Sequence, residues 1–321
     1  MSKLFSDDPF IICEVGSNFR NFEDAKNSIQ MAKQCGASAV KFQMFDEAEM
    51  YGYSPTGKPH MMVQIRDWLP KLKEKADAAK IEFMCTAFSV HGLEIVDQYV
   101  DVHKIASSDL CHVALLKAAA KTGKPILLST GGSSKGDVMR ALEVLDGATV
   151  VVMYCASAYP SRMHNLFQID YLRETFGKSV GLSDHSLDVV YAPLSAHRHH
   201  RVVVIEKHFT IIPEVDTPDR GHSLNVDQFK YMVDMLRNKI KPVGHAPTPE
   251  EKHMLLRNNR RLIATAPIAK GDTFSFKNFG AYRSLKDDTH GLSGFDADRV
   301  TGKTAAKDLA VGDSIGPGDF E

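Results

Sequence analysis

Short apolar runs alternate with amphipathic stretches from Phe10 to Ile240, and this alternation limits the fold more than anything else in the chain. The runs are Phe10–Val15 (FIICEV), Ala37–Gln43 (ASAVKFQ), Ile81–Thr86 (IEFMCT), Val102–Ala106 (VHKIA), Pro125–Thr130 (PILLST), Thr149–Tyr154 (TVVVMY), Val180–His185 (VGLSDH) and Val202–Phe209 (VVVIEKHF). Each is rich in aliphatic and β-branched residues and bounded by polar ones, which reads as a buried strand. Helical patterns lie between them. Asn21 can cap a helix with Phe22, Ala25, Ile29 and Ala32 on its apolar face and Gly36 as its stop. Ile65–Lys80, His91–Gln98, Val113–Thr122, Asp137–Leu145, Leu166–Phe176 and Val226–Ile240 follow, and Met44–Gln64 reads as a long loop. About eight strands in strict alternation over roughly 240 residues predict a (β/α)8 barrel rather than an open doubly wound sheet. No GxGxxG follows the first strand, which weakens a dinucleotide-binding alternative.

The pattern breaks after residue 240. Lys241–Asn259 carries Pro242, Pro247 and Pro249 and reads as a linker. Residues 260–321 are expected to form a small β-rich module. Its strand-like pieces are Arg261–Pro267, Phe274–Phe276, Ala305–Leu309 and Asp313–Ile315, punctuated by Gly271, Gly302, Gly312, Gly316 and Gly318.

Charge narrows the partners. With 39 basic and 40 acidic residues the net charge is −1, which argues against a nucleic acid or an anionic membrane held by bulk charge. No apolar run approaches the ~18–20 residues of a membrane span. The N-terminal MSKLFSDDPF lacks the apolar core of a signal peptide. Five cysteines are scattered without a CxxC, and Cys13, Cys85 and Cys155 sit in or beside strand-like runs. Buried free thiols and a cytoplasmic location are expected.

The polar residues fall in one pattern. Val180–His185 and Val202–Phe209 each end in a histidine, and two such strands joined by a long crossover are parallel neighbours. His185 and His208 therefore leave the same end of the sheet side by side. Two neutral imidazoles there make half of a divalent-metal site, the alternative being two unrelated histidines. The other strand ends carry Glu14, Lys41 with Gln43, Thr86, Lys104 with Ser107, Ser129 with Thr130, and Ser157 with Tyr159. A barrel keeps its chemistry at these ends, so the polar groups call for a common cavity. Lysines and hydroxyls suit phosphate or carboxylate, and Glu14 suits a general base or water-positioning group. Alternatively, Lys41 and Lys104 form ion pairs that close the barrel, and Ser107, Ser129 and Thr130 cap helices.

At this point the chain resembles the sialic acid synthase family, which includes synthases of N-acetylneuraminic, legionaminic, pseudaminic and spore-coat sugars. The resemblance rests on FIICEVGSN, GASAVKFQ, IEFMCTAFS, HKIASSDL, KPILLSTGG, YCASAYPS, VGLSDHS and VIEKHF, in order. RRLIATAPIAKGDTF and VTGKTAAKDLAVGDSI resemble that family's antifreeze-like (SAF) domain. The resemblance implies a transferase that condenses phosphoenolpyruvate with an N-acyl amino-sugar aldehyde, giving a nonulosonic acid and phosphate. It implies that His185 and His208 hold Mn²⁺, with Mg²⁺ or Co²⁺ as alternatives. It assigns Glu14, Lys41 and Lys104 to catalysis, and Ser107, Ser129 and Ser157 to phosphate and carboxylate. Gln43, Tyr159 and Asp219 would contact the sugar, and Thr86 and Phe88 would line the pocket. It further implies a homodimer in which the SAF domain covers the partner's barrel, with Arg283 reaching the acyl group.

The chain also departs from the family pattern. Phe19 follows Asn18 where the family has His, and Tyr154 replaces His in YCAS. Arg220 replaces His in TPDRGHS, the segment after Arg283 lacks Pro-Gly, and Met44–Gln64 lacks an expected Asn. Most of these departures are expected on the sugar side. The HRHH run (His197–His200) is expected at a helix end remote from the mouth. Competing readings are a related phosphoenolpyruvate-dependent ulosonate synthase with a different acceptor, and an inactive carbohydrate-binding homologue.

Overall fold

Each apolar run of the first 240 residues forms a strand within a few residues of its expected bounds. In order they are β1 (Phe10–Gly16), β2 (Ala39–Met44), β3 (Glu82–Ala87), β4 (His103–Ile105), β5 (Ile126–Ser129), β6 (Val150–Cys155), β7 (Ser179–Asp184) and β8 (Val204–His208). The computed structural model describes residues 8–53, 64–162, 165–238, 251, 259–283 and 290–321. The ladder runs β3-β2-β1-β8-β7-β6-β5-β4, all parallel. β3 and β4, the ends of this order, lie against each other, so the sheet curls into a nearly closed (β/α)8 barrel.

The connecting helices are α1 (Phe22–Gln34), α2 (Glu47–Tyr51), α3 (Gln64–Ala79), α4 (Val90–Asp97), α5 (Val113–Lys121), α6 (Lys135–Val144), α7 (Phe167–Phe176), α8 (Tyr191–Arg198) and α9 (Val226–Arg237). Asn21 caps α1 by accepting from the Asp24 N–H. The stretch read as a loop after β2 holds α2, while residues 54–63 lie outside the described residues.

Side chains alternate across each strand, so the barrel has two apolar cores. One packs the helices onto the strands, through residues such as Ile11, Phe42, Leu115, Ile205 and Phe229. The other fills the barrel interior with Phe10, Ile12, Ala39, Met84, Leu127, Val151, Met153 and Val204. Polar residues stand above this interior layer, at the C-terminal strand ends.

Contacts divide the chain into Met1–Lys239 and Ile240–Glu321. Except for Glu251 and Asn259, the stretch expected to be a linker lies outside the described residues. In the second unit β9 (Arg260–Ala264) pairs antiparallel with β10 (Phe279–Arg283). The expected piece Phe274–Phe276 is not a strand. Phe274 instead packs its ring 5.8 Å from Phe279, inside a small core with Leu262, Ile268, Val300, Leu309 and Ile315. Ala305–Leu309 contributes two isolated bridges, Leu309 to Ile268 and Ala305 to Phe320, and Asp313–Ile315 contributes one, Ser314 to Ile263.

One buried ion pair ties the mouth to the outer barrel wall. Lys207 and Asp184 are register partners on β8 and β7, and the Lys207 ammonium lies 2.6 Å from the Asp184 carboxylate with no exposure on either side chain. It also donates to the carbonyls of Ser186 (2.6 Å) and Asp188 (2.9 Å), which fixes the loop beside His185. Removing one partner of such a pair costs about 3–5 kcal/mol. Lys207→Met is expected to lower unfolding stability by that order in urea titrations. Adding Asp184→Leu to Lys207→Met is expected to recover part of the loss.

Candidate active site

The polar strand ends converge on one cavity of about 490 Å³. Its lining includes Glu14, Lys41, Gln43, Thr86, Phe88, Lys104, Ser107, Ser129, Ser157, Tyr159, His185, His208 and Asp219. Arg283, also singled out in the sequence, is exposed at the end of β10 in the second unit, in register with Arg260. Thr130 is buried and donates to the Met153 carbonyl (3.1 Å).

Ladder register builds the base. Glu14 on β1 is level with Lys41 on β2 and with His208 on β8. One pleat below His208 is Glu206, level with Ser183 on β7. The Lys41 ammonium lies 2.8 Å from Glu14 and 3.6 Å from Glu206, and it donates to Thr86 Oγ1 (3.1 Å). Lys104 donates to Glu206 Oε1 at 3.0 Å, and Ser183 Oγ donates to the same oxygen at 3.0 Å. Gln43 donates to Glu14 at 2.6 Å. The lysines thus form buried ion pairs and also line the cavity.

The two carboxyls part in behaviour. Burial pushes Glu14 up; Lys41 draws it down again, but the nearby Glu206 charge also raises it, and its pKa stands at about 7. Burial also pushes Glu206 up, but Lys104 and Lys41 outweigh it and hold the group at about 2. Glu206 is therefore a fixed countercharge, while Glu14 can exchange a proton near neutrality. Glu206 was not singled out in the sequence. Its signal was the strand period, which places it on the same face as His208 two residues later.

Hydroxyls form one side of the cavity. The Gly131 N–H donates to Ser107 Oγ (3.0 Å). A Cβ at Gly131 would stand 2.2 Å from Ser157 Oγ and 2.8 Å from the Cys155 carbonyl, so only glycine fits there. Ser129 Oγ is buried without a hydrogen-bond partner. Neither Ser107 nor Ser129 caps an α-helix. His112 caps α5 and Ser134 caps α6, which leaves those hydroxyls to the cavity.

Histidines form the opposite side. The rings of His185 and His208 are 5.4 Å apart, at the ends of neighbouring strands. His185 Nδ1 faces the Ala156 carbonyl at 3.2 Å, which leaves Nε2 for the cavity. A third imidazole, His222, was missed in the sequence. Its ring is 4.4 Å from His208, and its Nε2 is 3.6 Å from Asp219 Oδ1. His208 Nδ1 is 3.9 Å from Asp219 Oδ2. The ligand atoms of His208, Asp219 and His222 lie within 4.8 Å of one another. Burial depresses all three histidines, His185 to about 4, so the imidazoles are neutral and their lone pairs available. Among the described residues, His208 Nδ1 and His222 Nε2 are buried without hydrogen-bond partners. Neutral, unsatisfied imidazole nitrogens beside a carboxylate fit a divalent cation. Tyr159 covers this side, its ring 4.3 Å from His185 and 5.0 Å from His222.

The loop that carries Asp219 is tied to the first strand. Asn18 donates to the Phe209 carbonyl (2.9 Å) and to Ser223 Oγ (2.8 Å), and accepts from Thr217 Oγ1 (2.6 Å). The Ser17 N–H donates to Asp219 Oδ2 at 2.7 Å. Gly16, at φ +55°, lets Asp219 approach, because a Cβ there would sit 2.2 Å from Oδ2.

Two of the departures lie outside the cavity lining. Phe19 is buried in the core, its ring edge-on to Trp68 at 5.8 Å. Tyr154 is outside the cavity and accepts from the Asn165 N–H (3.2 Å). In the HRHH run, His200 pairs with Asp170 at 2.6 Å beyond the C-terminal end of α8, away from the cavity.

Residues 28–247 match the model of the NeuB family. An uncharacterized protein of Methanocaldococcus jannaschii is 33% identical, over 85% of this chain and 84% of its own length. Pseudaminic acid synthase of Campylobacter jejuni is 28% identical over 97% of this chain and 96% of its own. Among solved structures, the N-acetylneuraminic acid (sialic acid) synthetase of Leptospira borgpetersenii superposes with a TM-score of 0.66. It is 26% identical and covers 78% of this chain and 91% of its own.

The raised Glu14 pKa has a consequence for stability. The usual value is 4.5 and the folded value about 7, so the carboxyl's stabilising contribution is complete below pH ~4.5 and is lost as pH rises through 7. Wild-type stability is therefore expected to fall relative to Glu14→Gln between pH 5 and 7, by up to about 1.4 kcal/mol per pH unit. Parallel urea titrations across that range measure the difference, and equal pH slopes would contradict the shift.

Proposed function

The chain belongs to the NeuB family, and we propose on that footing that it condenses phosphoenolpyruvate with an N-acyl amino-sugar aldehyde to give a nonulosonic acid and phosphate. It is a carbon–carbon bond-forming transferase. One observation carries the reading: a single cavity joins a base of two lysines and several hydroxyls to a side of neutral histidines. The first suits a small polyanion, and the second suits an ion that activates a carbonyl.

In this reading Lys41, Lys104, Ser107, Ser129 and Ser157 bind the phosphate and carboxylate. Their positions are fixed before substrate arrives, by Glu206 for the lysines and by the Gly131 turn for Ser107. His208, with His185, would hold the divalent ion, Mn²⁺ or one of similar chemistry; when bound, it supplies a Lewis acid for the aldehyde oxygen. C3 of phosphoenolpyruvate bonds to the aldehyde carbon as the C=O π bond opens and its oxygen takes a proton from solvent, and cationic character develops at C2 of the former phosphoenolpyruvate. Water adds at C2, its proton passing to a base, and the tetrahedral centre expels phosphate. Glu14, which titrates near neutrality beside Lys41, is the group assigned to that proton or to the positioning of the water. Gln43 and Tyr159 face the sugar, with Thr86 and Phe88 lining the pocket. We read the second unit as the family's SAF-like domain, and the assembly as a homodimer in which Arg283 serves the acyl group.

A phosphate-release assay with phosphoenolpyruvate, Mn²⁺ and a panel of N-acyl amino sugars tests this. Release above a His185→Ala control is expected with at least one sugar, and none above that control would overturn the proposal. Glu14→Gln is expected to lower kcat by roughly 100-fold or more while the KM for phosphoenolpyruvate changes little. An unchanged kcat would remove Glu14 from the chemistry.

A further inference from the structure

We infer that His222 and Asp219 join His208 as metal ligands, giving this chain a set of two imidazoles and one carboxylate at the cavity wall. The inference rests on the proposed function only for the expectation that a divalent ion is used. The ligands themselves are read from the geometry.

The argument begins with the short turn Arg220–His222, a 3-10 helix. In that geometry side chains three apart lie over one another, so Asp219 and His222 face the same way. Asn18 anchors both ends of the segment, through Thr217 and Ser223. Gly16 and the Ser17 N–H then admit and hold the Asp219 carboxylate against the end of β1. Beside it β8 presents His208, whose Nδ1 has no hydrogen-bond partner, and His222 Nε2 likewise has none. Both histidines are more than nine-tenths buried, so water does not readily replace the missing partner.

The distances leave room for an ion between these groups. Separations of 3.6 Å and 3.9 Å between nitrogen and carboxylate are too long for hydrogen bonds. Two ligands each ~2.1 Å from one cation stand roughly 3.0–3.4 Å apart, so a small inward movement brings all three onto an ion. Two imidazole nitrogens with one carboxylate suit Mn²⁺, Fe²⁺, Co²⁺ or Zn²⁺ better than Mg²⁺, which prefers oxygen ligands. Three protein ligands leave positions open for a substrate oxygen. His185, with its ring 5.4 Å from that of His208, stands where a further nitrogen can reach the same ion. The role of Asp219 shifts with this assignment, from sugar contact to ligand.

The test is metal binding to the full-length protein after chelator treatment. Mn²⁺ affinity is measured by calorimetry, and the bound ion by electron paramagnetic resonance, for wild type, His222→Ala and His222→Gln, each checked for wild-type melting. The expected result is one tight Mn²⁺ per chain in wild type, and at least about tenfold weaker binding with an altered spectrum in both variants. Wild-type affinity and spectrum in either folded variant would overturn the inference. Anomalous diffraction from Mn²⁺-soaked wild-type crystals gives a reading that depends on no variant. A peak bonded to His222 Nε2 and Asp219 sustains the inference, and a peak bonded to His208 and His185 alone overturns it. Tight metal binding through His222 without phosphate release from any sugar would leave this inference standing while removing the synthase reading. Phosphate release with unchanged metal affinity in His222→Ala would do the reverse.

Discussion

Two lysine ammonium groups buried at the end of a barrel make the rest of the site necessary. Lys41 is 2% exposed and Lys104 is 6% exposed, too little for water to solvate their charges. Unpaired, each would cost several kcal/mol or lose its proton. Glu206 stands between them and Glu14 stands beyond Lys41, so two positive and two negative groups form one chain across β1, β2, β4 and β8. This chain separates the apolar interior layer below from the cavity above. It also sets the state of the unliganded site: Glu206 stays ionised, and the remaining adjustment of charge falls on Glu14. An arriving anion adds negative charge beside Glu14, which strengthens its hold on a proton. Anion binding and proton position are coupled by the same few charges.

The histidine side follows a different rule. Burial keeps both His208 and His222 neutral. Their surroundings combine one carboxylate, Asp219, with a set of neutral hydrogen bonds centred on Asn18. The strap from Asn18 to Thr217, Ser223 and Phe209 carries no charge, yet it joins the end of β1 to the loop after β8. On the outer wall, Lys207 performs the equivalent task for the loop after β7. The two loops that frame the histidines are thus held from opposite sides of their strands.

The barrel was legible because its signal is periodic. Eight apolar runs with helical stretches between them leave few parallel arrangements, and every run became a strand. The cavity lining was legible for a related reason: polar residues at apolar strand ends have few other places to go. Glu206 and His222 are less legible, each for its own reason. Glu206 sits inside VIEKHF, where a charge in an apolar run was passed over although its parity with His208 placed it inward. His222 sits in a non-periodic loop, where its partner Asp219 is set by a 3-10 turn. β10 was displaced in the reading because Phe274 and Phe276 mark a core contact and a surface ring, not a strand, while Phe279–Arg283 pairs with β9. Side-chain hydrophobicity identifies burial there, but backbone pairing decides the strand.

Substitutions relative to the family pattern can now be sorted by where they fall. Phe19 follows the anchoring Asn18 but turns into the aromatic core with Phe42 and Trp68, so it acts on packing. Tyr154 alternates with Cys155 along β6, and it is Cys155 that reaches the cavity. Arg220 points to Asp216 at the surface. In that same loop, His222 is turned inward, against His208 and under Tyr159. At the base of the cavity the two lysines and two glutamates balance one another's charge, so changing any one of them leaves a buried charge unpaired. Variation is cheapest in the Thr217–Ser223 loop, whose two ends are held by Asn18 through the Thr217 and Ser223 hydroxyls whatever side chain stands at position 220 or 222. Such a loop can change the groups presented to an ion or an acceptor sugar while the lysine–glutamate base stays as it is.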